Sequence, residues 1–382
     1  MGKKLYGPGN VAITVEDNFG EAVEIDKLCR VQAITMPALN HEVIENTANR
    51  PNRGSNPPLI GAQSALDFEI TTLLYDTKTD SIEHLRQAGG VAPAGDPYTN
   101  TEYRPTLQIV RTDRDGTMAE ILHGCITTSI TQNWSNSDKC SEVFAGTAST
   151  KTEFQSMDDV SIDGSAWEAD DVVDLGFVYG RGAAQFPDKL GVYFFNADWG
   201  FIGIGAPQSD FQHVKINYIE SDTVDKTVKF VRFIIDHEIV LETADDSKII
   251  APGSWTCAFS HNAVATGTEP QTVTVTYETG LAFGNLIAGK GGVPTEINYG
   301  SPKATATITC FLDQNAIKLF NFEDCLSKIE LKHGATTSTT LFNCHIDTKP
   351  SFELSQAEAA SGDFAFTATD NAYGNCAMIK FN

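Results

Sequence analysis

The sequence predicts a mainly β protein built from two tandem copies of one β-rich unit, each with one short helical patch. Three observations predict it. Apolar and polar residues alternate over many short segments. Helical spacing is rare. One order of elements near residues 66–149 returns near residues 303–370.

Leu66-Asp67-Phe68-Glu69-Ile70 alternates apolar and acidic residues, as a strand with one buried face does. Thr72–Asp76 extends it, and Ser81–Ala88 follows with apolar residues at helical spacing and Ser81 as its N-cap. Leu107-Gln108-Ile109 is the next strand. Asp115-Gly116 is a hairpin turn signal. Leu122–Ile126 and Val143–Gly146 complete the unit. Further on, Val214-Lys215-Ile216 alternates, and Val228–Leu241 is long enough for two strands or one bent strand. Val273–Tyr277 interleaves Thr and Val, whose β-branching suits a pleated surface. Gly203 and Gly205 read as a hairpin feature.

The second copy aligns with the first in pieces. Thr72–Asp76 matches Thr309–Asp313 at an offset of 237 residues, and both precede a helical patch, the second at Asn315–Asp324 with Asn315 as N-cap. Leu107 and Ile109 match Ile329 and Leu331 at 222. Cys125 matches Cys344 at 219, and Phe144-Ala145 matches Phe364-Ala365 at 220. The Gly- and Pro-rich stretch Gly89–Asn100, which the second copy lacks, accounts for the falling offset. Long polar segments, Ala38–Ser64 and Ala282–Ser301, precede the first matched strand of each copy. The Asp-, Gly- and Ser-rich residues 155–188 read as the join, which divides the chain into domains 1–175 and 176–382.

Composition narrows the function classes. The 382 residues carry a formal charge of −23, spread evenly: −13 over residues 1–190 and −10 over 191–382. Such a chain repels nucleic acid and anionic membrane surfaces. No segment has the apolar length of a membrane span, and the start carries neither a signal peptide nor a myristoylation pattern. The eight cysteines include no Cys-x-x-Cys pair. Those in strand patterns (Cys125, Cys310, Cys344) read as buried hydrophobes in a reducing compartment.

No motif specifies catalysis. Asp159, Ser161, Asp163, Gly164 and Asp170 match part of a calcium loop, but Asp170 stands where a bidentate Glu belongs and no amphipathic helix flanks it; an acidic linker is the simpler reading. The adjacent acids Asp158/Asp159, Asp170/Asp171 and Asp245/Asp246 would point to opposite faces of a strand, which suits charged turns better than a glycosidase pair. Gly284 to Lys290 has phosphate-loop spacing with Gly291 where Ser or Thr is required. The histidines are scattered, and no nucleophile elbow or zinc pattern occurs. The single sequon Asn133-Trp134-Ser135 means little without a secretion signal. Catalytic, metal and cofactor sites are therefore expected to be absent. A rival reading is a virion-surface glycan-binding module, with Trp134, Trp167, Trp199 and Trp255 stacking on sugars; their scatter favours core roles.

Two stretches carry a family resemblance. One is Arg50-Pro51-Asn52-Arg53-Gly54-Ser55 followed by the strand Leu66–Tyr75. The other is Gly124–Ser129 followed by Val143–Gly146. In these the chain resembles the tail tube proteins of long-tailed bacteriophages, closest to the branch with two fused tube domains per subunit. The resemblance implies two tandem tail-tube-type β-sandwich or barrel domains, each with one short flanking helix, and trimers that form pseudo-hexameric rings stacked into a tube. It implies an acidic lumen through which DNA passes without specific contact during ejection, in a phage tail assembled in the host cytoplasm. Its loop before the third strand implies stacking contacts at Arg50, Pro51, Asn52, Arg53, Gly54 and Ser55, with Lys290 in the counterpart. Implied partners are the chain itself, tail tip and tail completion proteins, and the tape measure protein, with no membrane and no cofactor. Some relatives add an immunoglobulin-like decoration domain; none is expected here.

Overall fold

In the computed structural model the described residues are 9–39, 41–44, 59–63, 65–76, 79–92, 105–113, 115–236, 238–243, 246–261, 264–268, 270–284, 296–311, 325–334, 337–349, 361–369 and 378–381. The expected stacking residues Arg50–Ser55 and Lys290, the second helix at Asn315–Asp324, Asp245 of the third acid pair and the Asn285–Lys290 part of the phosphate-loop spacing lie outside them.

The first copy runs β1 (Asn10–Val15), β2 (Lys27–Leu28), β3 (Ala33–Thr35), β4 (His41–Ile44), β5 (Leu59–Gln63), β6 (Leu66–Leu73), α1 (Asp80–Ala88), β7 (Leu107–Thr112), β8 (Met118–Ser135), β9 (Ser141–Ala148) and β10 (Thr150–Gln155). A middle group follows: β11 (Met157–Asp163), β12 (Val172–Asp174), β13 (Gly180–Gly182), β14 (Leu190–Phe195), β15 (Phe201–Pro207), β16 (His213–Ile219) and β17 (Thr227–Ile235). The rest is β18 (Val240–Leu241), β19 (Thr256–His261), β20 (Val264–Thr268), β21 (Pro270–Glu278), β22 (Leu281–Phe283), β23 (Ile297–Tyr299), β24 (Lys303–Phe311), β25 (Cys325–His333), β26 (Thr337–Thr348), β27 (Ser361–Ala368) and β28 (Ile379–Phe381). The protein is mainly β.

The two copies share strand order, register and irregularities. In the first, β1-β7-β8-β10 and β8-β9-β6-β3 are neighbours; in the second, β19-β25-β26-β28 and β26-β27-β24-β21 are. The register of β8 on β9 slips between Thr127 and Ser129, and that of β26 on β27 slips between Ile346 and Thr348, at the 219-residue offset. Each long strand also has a left-handed residue near the point where its partner strands change, from β10 to β9 along β8 and from β28 to β27 along β26. It is Gly124 (φ 61°) in β8 and Asn343 (φ 47°) in β26, again 219 apart. Gly and Asn are the residues that tolerate this conformation.

Two offsets change. Ile70 pairs with Phe144 and Ile308 with Phe364, so β6 and β24 correspond at 238, not 237. A slip of one residue would turn every side chain to the other face. Ile109 and Ile329 both oppose the equivalent residues Leu122 and Leu341, so past the bulge β7 and β25 correspond at 220, not 222.

The middle group departs from the expected layout. β11-β17-β14-β15-β16-β12 form a separate six-stranded sheet. The expected division at residue 175 falls inside it, because Val172–Asp174 pairs with His213–Lys215. Gly203 and Gly205 are hairpin residues, in β15 between its antiparallel neighbours β14 and β16 and not at a turn; a Cβ at Gly205 would sit 2.3 Å from Val214. Val228–Leu241 resolves into two strands, β17 and β18.

Two cores hold the layers. The main one fills the space between the long sheet, α1 and one face of β1-β7-β8. The second lies between the other face, through Ala12, Val110, Ala119 and Ile121, and the inner face of the six-stranded sheet, through Val192, Phe194, Val231 and Phe233. Covered on both faces, β7 and the first half of β8 are almost continuously buried, the polar Gln108, Thr112, Glu120 and His123 included, unlike the alternating half-buried strands. Helix α1 begins at Asp80 with Thr79 as N-cap, two positions before the expected cap at Ser81. Ser81 instead donates from its N–H (3.2 Å) and hydroxyl (2.7 Å) to Glu242, whose carboxylate sits where the helix amides and dipole favour an anion.

Candidate functional site: a shared sheet with an open face

The two copies join edge to edge. The second half of β8 pairs with β21 over seven residue pairs, from Ser129↔Glu278 to Ser135↔Thr272. The result is a continuous run of eight strands, β3-β6-β9-β8-β21-β24-β27-β26, four from each copy.

Buried groups lock this seam. Arg86 of α1 makes three hydrogen bonds of 2.9–3.0 Å to Glu142 of β9, and both side chains are nearly inaccessible. Gln132 of β8 donates to Glu142 (3.0 Å), and its carbonyl accepts from Trp134 (3.3 Å) and from Thr339 of the second copy (2.6 Å). The Arg86 guanidinium lies 5.2 Å over the ring of Phe381, also of the second copy. Trp255, just ahead of β19, donates to the Ser135 carbonyl (3.0 Å) and meets Trp134 edge-on at 5.8 Å. Elements of both copies thus meet in one hydrogen-bonded network.

One face of the run packs on the main core and the other is open. A single cross-strand row traverses all eight strands on the open face: Ala33, Thr71, Val143, Thr131, Thr276, Thr305, Thr367 and His345. The flanking rows hold Ser129, Asn133, Thr274 and Thr307. The hydroxyls bond among themselves and to the amide: Thr131 to Thr276 at 3.3 Å, and Thr274 to Asn133 at 3.1 Å. Among the described residues the charges here are Asp67, Glu69, Glu278, Asp347 and Asp363 against Lys303. The face is hydroxyl-rich with a modest acidic excess.

The remaining candidates resolve individually. Asp170 pairs with Lys215 (2.8 Å), and Asp163 accepts from the Ser165 N–H (2.9 Å), so the calcium-loop oxygens do not converge. No three potential metal ligands gather among the described residues. Of the paired acids, Asp158 bonds Arg232 (2.7 Å) and Asp171 accepts from the Glu168 N–H (2.9 Å). Cys29, Cys125, Cys140, Cys257, Cys310 and Cys344 are free thiols and buried. Burial pushes the Cys29 thiol up to about 12 and Cys125 and Cys257 well above their usual range, which makes them poor nucleophiles. Of the tryptophans, Trp134 and Trp255 are buried, Trp167 is half-buried on the second core, and Trp199 is exposed.

No model of a known protein family and no curated protein matches the chain. Solved structures similar to part of it include a chain of an extracellular contractile injection system, the PVC sheath-tube complex in its extended state (12% identity, TM-score 0.28, 40% of this chain and 93% of that one). Another is a type six secretion system protein (12% identity, TM-score 0.24, 40% and 86%).

Proposed function

We propose that the chain is a structural tail protein, a tube subunit whose two copies occupy successive positions in a ring. The β8·β21 seam carries this reading: the leading strand of one copy pairs with the long strand of the other, so the contact is head-to-tail. A head-to-tail contact can repeat, and rings or open stacks result. The run ends on β3 and β26, the counterparts of β21 and β8; β26 pairs with β25 as far as His345, so among the described residues its last stretch, Ile346–Thr348, has β27 alone as partner strand. Ala33, Ile34 and Thr35 correspond to Thr272, Val273 and Thr274 through their partners in β6 and β24. In a ring, the end of β26 of one subunit would serve β3 of the next as β8 serves β21, which would also cover the β3 edge. Three subunits would then present six quasi-equivalent units around a closed barrel.

The open face would line the lumen. Hydroxyls offer phosphate no counterion release, and sparse carboxylates repel it, so DNA would pass without adhering. Stacking of rings through Arg50–Ser55 and Lys290, docking of tail tip and tail completion proteins, and a tape measure protein in the lumen belong to the same proposal. So do a place in the virion tail and assembly in the host cytoplasm.

Native mass spectrometry and negative-stain microscopy of the purified chain test it. Trimers, rings or tubes are expected. A monodisperse monomer at every salt and protein concentration overturns it.

A further inference from the structure

The tube reading leaves the six-stranded middle sheet unassigned. Its inner face is largely aliphatic and packs on the second core. Its outer face is aromatic. Cross-strand pairs place Phe230 beside Phe195, Phe195 beside Phe201, Tyr193 beside Arg232 and Ile204 beside Tyr218. Ring centroids form a ladder from Trp199 to Phe195 (5.8 Å), to Phe201 (6.0 Å), to Tyr218 (6.3 Å).

This surface is built rather than incidental. Trp199 lies flat on Phe230, 4.2 Å between centroids and 5° between planes, yet is 55% exposed, so one indole face is seated and the rest meets solvent. Its backbone is left-handed (φ 60°), which is costly for a tryptophan. Asn196 holds that turn: its side-chain carbonyl accepts from the N–H groups of Asp198 (3.1 Å) and Gly200 (2.7 Å), and its amide donates to the Asp225 carbonyl (3.1 Å). Arg232 is buried against the rings, 5.1 Å from Trp199 and 5.6 Å from Phe230, and is fixed by Asp158. Beside the ladder opens a cleft of about 460 Å³, whose lining includes the apolar Gly191, Tyr193 and Ile204 and the polar Asp188, Lys189, Asn217 and Asp236, two carboxylates against one cation.

Flat rings held open to solvent suit the apolar C–H face of a pyranose, and nearby carboxylates and an amide suit its equatorial hydroxyls. Glu220, Asp222, Asp236 and Glu238 lie on this sheet's strands or loops, within a chain of net charge −23, and disfavour anionic ligands. We propose that the outer face of the middle sheet binds an uncharged glycan chain, with the ladder from Trp199 to Tyr218 as its stacking platform and the Tyr193 cleft as an adjoining subsite. A second protein copy is the less fitting occupant, since the inner face, which does pack on protein, draws mostly on Val and Ile.

The test is independent of whether the chain forms rings. A glycan array probed with the full chain comes first. Calorimetric titration follows with cellopentaose, chitopentaose and maltopentaose, and with a heparin pentasaccharide as anionic control. Saturable binding of at least one uncharged glycan is expected, weakened about tenfold or more by Trp199→Ala and by Tyr218→Ala. Trp167→Phe, on the inner side, leaves it unchanged. Melting temperature and tryptophan emission verify that each variant folds. Four results overturn the proposal: no uncharged glycan bound, binding of heparin alone, binding indifferent to both ladder variants, or protection of Trp199 from hydroxyl-radical footprinting by self-association alone.

Discussion

Replacing Arg86 with Met removes the cation that faces Glu142. Glu142 has no exposed side-chain surface, and three of its hydrogen bonds come from Arg86. After the substitution the Gln132 amide remains as donor to a carboxylate that cannot reach water. Breaking a buried pair from one side typically costs about 3–5 kcal/mol, and the loss of the guanidinium from the Phe381 ring adds to it. The pair itself is a different quantity. Arg86→Met with Glu142→Leu removes both charges, and such replacements are often neutral. The double variant is therefore expected to recover most of the loss, less the hydrogen bond forfeited by Gln132. Urea titration followed by tryptophan emission is the assay, because Trp134 and Trp255 meet at this seam. A single variant within about 1 kcal/mol of the parent refutes the reasoning, since no buried charge would then have been stranded. So does a double variant as unstable as the single one.

Other outcomes follow from the same structure. Gly124→Ala strains a left-handed residue and puts a Cβ 2.8 Å from that of Ser149, for a loss of roughly 1–3 kcal/mol, whereas Asn343→Gly at the equivalent bend is near neutral; thermal melts compare them. The N–H groups of His213 and then Gln212 hold the Asp210 carboxyl down to about 2. Its contribution is thus complete above the ordinary carboxylate pKa and disappears as pH falls toward 2, so Asp210→Asn should flatten stability over roughly pH 4 to 2 in acid titration. The thiols of Cys29, Cys125, Cys140, Cys257, Cys310 and Cys344 should alkylate only after unfolding; labelling of any in the native protein at pH 8, read by peptide mapping, contradicts their burial.

Much of the fold can be read in the residues that alternate. Leu66–Ile70 and Val273–Tyr277 have one buried face each, and the period of two names both strand and face. The match of Cys125 with Cys344 lands on the same side of the same bend. The offsets at β6 and β7 miss because short apolar runs align equally well one or two residues away, and only cross-strand partners fix register. The middle sheet is hidden because its first strand, Met157–Asp163, is an edge strand with exposed acids, which reads as linker. The seam network is invisible for another reason. Gln132 and Glu142 face each other across one hairpin, but Arg86 and Thr339 lie far from them along the chain, and nothing local in either announces the network. Trp199 stands out in the sequence as a tryptophan, whereas Phe195, Phe201, Phe230 and Tyr218 do not; their alternation with the Val and Ile residues of the inner face is the available signal.

Cryo-electron microscopy of the assembled protein tests the central claim most directly. The account predicts three subunits per ring, with β26 of each pairing with β3 of the next as β8 pairs with β21, and the threonine row facing the lumen. Rings in which these edges stay apart, or in which the threonine row faces outward, would contradict it.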